Sequence, residues 1–214
     1  MKTAKLTKLF LAALSAAALC AGGAEESACP GREWNPLFDG KTLKGWSEIE
    51  FGGEGEVRVT NGVLHLDMGL PFTGVRWTNA VIKADYEIAL DARRTTGTDF
   101  FCGLTFPVGD CCASLIVSGW GGGLVGISSI DTFDASENDT TSHRLFENGR
   151  WYAIRLRVTR DRIQAWIDKQ QVVDADIRGR DISVRPGDIE LCQPLGLASW
   201  DTSAALRNIR IRKL

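Results

Sequence analysis

Histidine is nearly missing from this chain of 214 residues. There are two, His65 and His143, with only two tyrosines and two methionines beside them. Two distant histidines and no Cys-x-x-Cys pair leave no zinc site of the usual spacing. Charge of one sign is lacking too: 25 Lys and Arg stand against 27 Asp and Glu, a net charge of −2. Without a basic excess to neutralise phosphates, nucleic acid is not an expected partner. No Gly-x-Ser-x-Gly elbow occurs, and Gly121-Gly122-Gly123 is followed by no Lys-Ser/Thr. A hydrolase elbow, a phosphate loop and a nucleotide cofactor are therefore not expected. Tryptophan is what the chain has in quantity, with seven. Rings of that size either fill a large core or form platforms for a ligand.

The start of the chain predicts export. Lys2, Lys5 and Lys8 precede an apolar run from Leu9 to Leu19, too short to span a bilayer comfortably, and Ala21 to Ala24 are small. Residues 1–24 are read as a signal peptide and 25–34 as an N-terminal linker. The expected location is secreted, in a bacterial periplasm or at the cell exterior, with no membrane span after signal removal. Cys20 raises the competing reading of a lipid anchor, against which Leu19 stands where such signals have a small residue. If Cys20 leaves with the leader, five cysteines remain. The odd count leaves at least one thiol free, and spacing does not give the connectivity.

From residue 35 to 214 the signal is a period of two. Val57 and Val59 lead to Asn61-Gly62, a hairpin turn dipeptide, and Leu64 and Leu66 follow. Tyr86, Ile88 and Leu90 alternate with Glu87, Ala89 and Asp91. Phe100, Cys102 and Leu104 alternate with Phe101, Gly103 and Thr105. Ile154 and Leu156 alternate with Arg155 and Arg157, and Ile163 and Ile167 lie in opposite phase to Gln164 and Trp166. The uncharged stretch Cys111 to Ile130 reads as two buried strands joined at Trp120-Gly-Gly-Gly rather than as a membrane helix. Short strands at regular spacing, with no helical stripe, predict an all-β domain: a two-sheet antiparallel sandwich or jelly roll over residues 35–214.

Three groups of residues could carry chemistry. Trp166 and Phe101 sit in the polar phase of their strands, where an aromatic plane can pack on a sugar ring; the alternative is an outer face covered by other side chains. The long loop Asp131 to Ser142 carries Asp131, Asp134, Glu137 and Asp139. Its carboxylates could hold calcium, act as general acid or base, or simply be solvated; the spacing matches no calcium loop. His143 follows the loop. Trp120 at its glycine turn, Trp200 with Asp201 beside it, and Arg94 complete the candidate binding set.

Asn35-Pro-Leu-Phe-Asp-Gly-Lys-Thr-Leu-Lys-Gly-Trp46 resembles the opening of the 3-keto-disaccharide hydrolase domain family. Asn61-Gly-Val-Leu, Asp85-Tyr-Glu-Ile-Ala-Leu90, Gly149-Arg-Trp-Tyr-Ala-Ile-Arg155, and Gly196-Leu-Ala through Leu206-Arg-Asn-Ile-Arg-Ile-Arg212 follow in that family's order. The resemblance implies a concanavalin-A-like jelly roll, a carbohydrate partner and cleavage of sugars oxidised at the third carbon, with a divalent metal as a candidate cofactor. It also implies a Glu after the central hairpin and a His near the final Gly-Leu block. Here those places read Ala113-Ser-Leu-Ile-Val-Ser-Gly-Trp120 and Ser199-Trp200-Asp201. The expected catalytic groups are then Asp131, Glu137 and His143, with Trp200, Asp201, Trp120, Trp166 and Arg94 binding substrate, unless the domain is a lectin-like module that only binds glycans.

Overall fold

The computed structural model describes residues 33–214; the expected signal peptide, most of the linker, Cys20 and Cys29 lie outside them. No helix among the described residues is long and apolar enough to cross a membrane. The strands form two antiparallel sheets packed face to face.

The strands are β1 (Asn35–Pro36), β2 (Trp46–Glu48), β3 (Val57–Thr60), β4 (Val63–Leu66), β5 (Phe72–Trp77), β6 (Tyr86–Gly97), β7 (Cys102–Val108), β8 (Cys111–Ser118), β9 (Leu124–Ser128), β10 (Ser142–His143), β11 (Tyr152–Val158), β12 (Arg162–Ile167), β13 (Gln170–Asp176), β14 (Gly196–Trp200) and β15 (Thr202–Lys213). One sheet runs β13-β12-β11-β6-β15-β4-β3, with β1 added beside β15. The other runs β10-β9-β8-β7-β14-β5-β2. Consecutive strands change sheet repeatedly, which is how a jelly roll closes two sheets over one core.

The hairpin at Asn61-Gly62 forms as expected. Asn61 (φ 52°) and Gly62 (φ 80°) are both left-handed, the turn whose twist matches the flanking strands. The alternating sets fill the space between the sheets: Tyr86, Ile88 and Leu90 meet Leu104, Leu115 and Ile127 there. Cys111 to Ile130 forms β8, a turn at Gly119–Gly122, and β9.

The phase expected around Phe100 is corrected by the structure. Phe101 is fully buried against Phe146 and Tyr152 in the main core, on the same side as its neighbour Cys102. Phe100 instead joins a second apolar cluster with Phe72, Ile116, Val184 and Ile189. The chain bends at Phe101 before β7 begins, so strict alternation starts one residue later than the sequence suggests.

The outer face of the eight-stranded sheet is plated with arginine and tryptophan. The Arg155 guanidinium lies 3.7 Å from the centre of the Trp166 ring. Below them Glu87 is fully buried and accepts from Arg155, Arg157 and Arg212. Burial pushes its carboxyl up, but the three guanidiniums outweigh that and hold it below the ordinary range.

Candidate functional site

The outer face of the seven-stranded sheet carries small residues in its outward positions, and these let other segments lie directly on it. A Cβ on Gly103 would come 2.9 Å from the Phe100 ring, one on Gly126 would come 2.8 Å from Ala135 O, and one on Gly196 would come 2.5 Å from Cys192 O. Phe100, the 131–142 loop and the 3₁₀ turn Asp188–Cys192 therefore settle onto the sheet and wall off its middle. A cavity of about 460 Å³ remains, floored by Ser114, Ile116 and Ser128. That volume falls in the range of small-molecule sites.

Aromatic rings make the walls. Trp200 is half-buried and packs edge-on against Phe72 with centroids 4.6 Å apart, and Phe100 lies 6.3 Å from Trp200. Trp120 stands on the rim, 45% exposed. Its position depends on a strained turn: Ser118 (φ 77°), Trp120 (φ 49°) and Gly121 (φ 81°) are all left-handed. A non-glycine residue is held there only by surrounding contacts. Asp99 supplies one, accepting from the Gly121 N–H at 2.9 Å and the Phe100 N–H at 2.8 Å. Buried Arg94 supplies another through Ser118.

The cavity carboxylates differ in how fully they are occupied. Asp134 accepts from the Ser128 hydroxyl at 2.6 Å and the Ala135 N–H at 2.7 Å, and pairs with Arg185 at 2.6 Å. Asp99 spends both oxygens on the turn. Asp188, exposed after the Pro186-Gly187 turn, has no hydrogen-bond or ion-pair partner among the described residues and lines the cavity. It is the lining carboxylate with both oxygens free. Arg185, at the other end of that Pro-Gly turn and paired with Asp134, is the lining cation and lies 5.9 Å from the Trp120 ring. No cluster of three or more His, Cys, Asp or Glu side chains suited to a metal occurs among the described residues.

The candidates read from the sequence divide accordingly. Trp120 and Trp200 meet at the cavity. Asp201 is exposed next to Trp200 in a left-handed conformation (φ 44°), outside the lining. Arg94 lies behind the Trp120 turn, with donors committed to Ser118 Oγ, Asn148 Oδ1 and Phe146 O, so it shapes the rim without touching a ligand. Trp166 sits on the opposite sheet under Arg155. Asp131, Glu137 and His143 do not line the cavity. The Asp131 carboxylate accepts from the Asp181 N–H at 2.9 Å and from Arg180 at 2.8 Å, which hold it below the usual range. Arg180 also binds Asp139, pinning the loop. Glu137 is exposed on that loop, and His143 is exposed on the edge strand β10. Asp188, Asp99 and Arg185 were not singled out from the sequence; the one local signal was a Pro-Gly turn with a charge on either side.

The architecture is shared with solved carbohydrate-related proteins. The carbohydrate binding module CBM66 from Bacillus subtilis is 17% identical, with a TM-score of 0.51 over 79% of this chain and 96% of that one. The Bacillus licheniformis β-glucanase is 10% identical, with a TM-score of 0.56 over 86% of this chain and 98% of that one. The Crh5 transglycosylase in complex with NAG is 11% identical, with a TM-score of 0.55 over 88% of each chain. At such identities the likeness establishes the concanavalin-A-like jelly roll and nothing finer. No curated protein sequence matches. Residues 33–212, from the segment before β1 to the end of β15, match the family of 3-keto-alpha-glucoside-1,2-lyase-like domains, and the chain belongs to that family.

Proposed function

We propose that this domain is exported and cleaves 3-keto-glycosides in the cavity on the seven-stranded sheet. The observation that carries the proposal is a free carboxylate, Asp188, beside an aromatic-walled pocket in a member of this family. Trp120 and Trp200 offer planes for the C–H face of a sugar ring. A ketone at carbon three acidifies the proton on carbon two. Asp188 takes that proton, and its electron pair passes into the enolate. Collapse of the enolate forms the C1–C2 double bond and expels the glycosidic oxygen, which takes up a proton; water adds later. The base must come within hydrogen-bond reach of the proton. Arg185, the lining cation, is the group that would stabilise the developing enolate oxygen on leaving its pair with Asp134.

A second reading, glycan binding without cleavage, is favoured by the cavity floor, where Ser114 and Ile116 stand in a stretch with no carboxylate. Incubating the protein with a 3-keto-disaccharide and its unoxidised parent separates the two. Cleavage of the keto sugar alone, abolished in Asp188→Asn, supports the lyase. Binding of either sugar without products supports the module. Unchanged turnover in Asp188→Asn removes Asp188 from the chemistry.

A further inference from the structure

The face opposite the cavity has its own electrostatic character. On β12, β11, β6 and β15 the outward residues fall into cross-strand rows. Trp166, Arg155, Ala89 and Arg210 form one row, and Gln164, Arg157, Glu87 and Arg212 the next. Trp34, just before β1, stacks under Arg212 at 4.6 Å and Arg210 at 5.1 Å. Farther along the same face Trp151 is flanked by Arg207 at 4.1 Å and Arg93 at 4.6 Å. Each indole carries guanidiniums against its ring, which positions the cationic groups along the sheet.

The charges on this face do not cancel. Glu87 faces three arginines, while Asp91 neutralises Arg207 and Asp174 neutralises Arg162. Arg93 and Arg210 have no carboxylate within ion-pair distance among the described residues, and the Arg93 Nε–H has no hydrogen-bond partner at all. A chain of net charge −2 thus carries a basic face. Arg210 lies opposite Ala89, and Arg93 is four residues farther along β6. At the rise of a strand this separates the two free cations by roughly 13 Å. One small anion cannot bridge them, whereas a polymer with charges at intervals can.

We propose that this Arg–Trp face binds an acidic polysaccharide, one bearing carboxylates or sulfates, independently of the cavity. Guanidinium forks match both groups in bidentate geometry. Three features favour a glycan over other polyanions. The indole faces are already covered by arginine, so none is free to stack an unpaired base. The flat sheet offers no helix or ribbon to enter a duplex groove. Trp34, Trp151 and Trp166 are all partly buried beneath arginines, so no aromatic anchor protrudes from these rows toward a lipid interface.

The test is binding of the exported protein to heparin and to polygalacturonate, with dextran, duplex DNA and anionic phospholipid vesicles as comparators, across a salt series. The expected result is salt-sensitive binding to the two acidic glycans, none to dextran, and weaker binding to DNA and vesicles. In the double variant Arg93→Gln/Arg210→Gln the slope of log affinity against log salt becomes shallower, because fewer counterions are released on binding. Arg93→Lys/Arg210→Lys keeps the parent's salt slope but binds more weakly, since an ammonium has no bidentate fork, and Trp200→Ala leaves the binding unchanged. A folded double Gln variant that binds as tightly as the parent overturns the proposal. So does equal binding to DNA or vesicles, or loss in Trp200→Ala, which would assign the glycan to the cavity.

Discussion

The Arg94 guanidinium donates to Ser118 Oγ at 3.1 Å, and the same hydroxyl donates to Gly122 O at 3.0 Å. A buried cation therefore braces the left-handed turn that lifts Trp120 to the cavity rim. Arg94→Gln keeps a polar group but loses the reach to Ser118. We expect Trp120 to become mobile, seen as faster motion of its indole N–H in nitrogen-15 relaxation, with Trp120→Phe assigning the resonance. Ligand affinity should fall while Ser118→Ala has a smaller effect of the same kind. Unaltered Trp120 dynamics in Arg94→Gln would show that Asp99 alone holds the turn.

Trp120 and Trp200 should separate binding from stability. Each ring withdrawn from a sugar costs about 1–3 kcal/mol of binding, the scale of burying a large apolar side chain. Trp120 projects into solvent, so Trp120→Ala should weaken glycan binding without moving the melting temperature. Trp200 also packs on Phe72, an aromatic contact worth about 0.5–1.5 kcal/mol. Trp200→Ala should lose binding and some stability together. Calorimetric titration alongside thermal unfolding reads both quantities.

Asp131 ties the 131–142 loop to Arg180 and Asp181, just past the turn that follows β13. Its carboxyl is held low by the Asp181 N–H first and by Arg180 second, so this tether is complete at neutral pH. The folded-state value is depressed, and the tether is lost only as pH falls through it. Asp131→Asn should raise amide hydrogen exchange across residues 131–142 at pH 7 with little change in global melting. A turnover defect larger than that loosening explains would instead bring Asp131 into the chemistry.

Glu87 is the buried hub of three arginines. Its folded-state carboxyl lies below its ordinary value of 4.5. Its contribution to stability is therefore full at neutral pH. It declines once pH drops below the unfolded value, where the unfolded chain takes up a proton that the folded one does not, and is gone below the folded value. Glu87→Gln leaves the guanidiniums without a counter-charge; they are about a third exposed and can turn to water, so the cost falls below the ~3–5 kcal/mol of a fully buried pair. Denaturant unfolding at pH 7 should show that loss, and the difference between variant and parent should shrink toward pH 3.

Period-two alternation was enough to place Tyr86, Ile88, Leu156 and Ile163 in one core, because a strand forces successive side chains to opposite faces. The turn at Asn61-Gly62 and the break at Gly121-Gly122 were equally local, since positive φ selects such residues. Local reasoning failed at Phe100-Phe101, where a bend shifts the phase by one residue. It also put Trp166 among possible sugar platforms, because a polar register does not reveal that an arginine on the next strand covers the ring.

The class of this protein, with its strands, their inward faces and the turns that join them, follows from short-range sterics and burial and is legible residue by residue. Which outward face holds a cavity and which an arginine plate depends on how the strands pair and pack. Asp99, Ser128, Asp188 and Trp200 come together only because β7, β8, β9 and β14 share a sheet and the 185–189 segment lies across it. Nothing in the spacing of those residues encodes that meeting, since it depends on which strands pair, and pairing is set by the packing of the whole core.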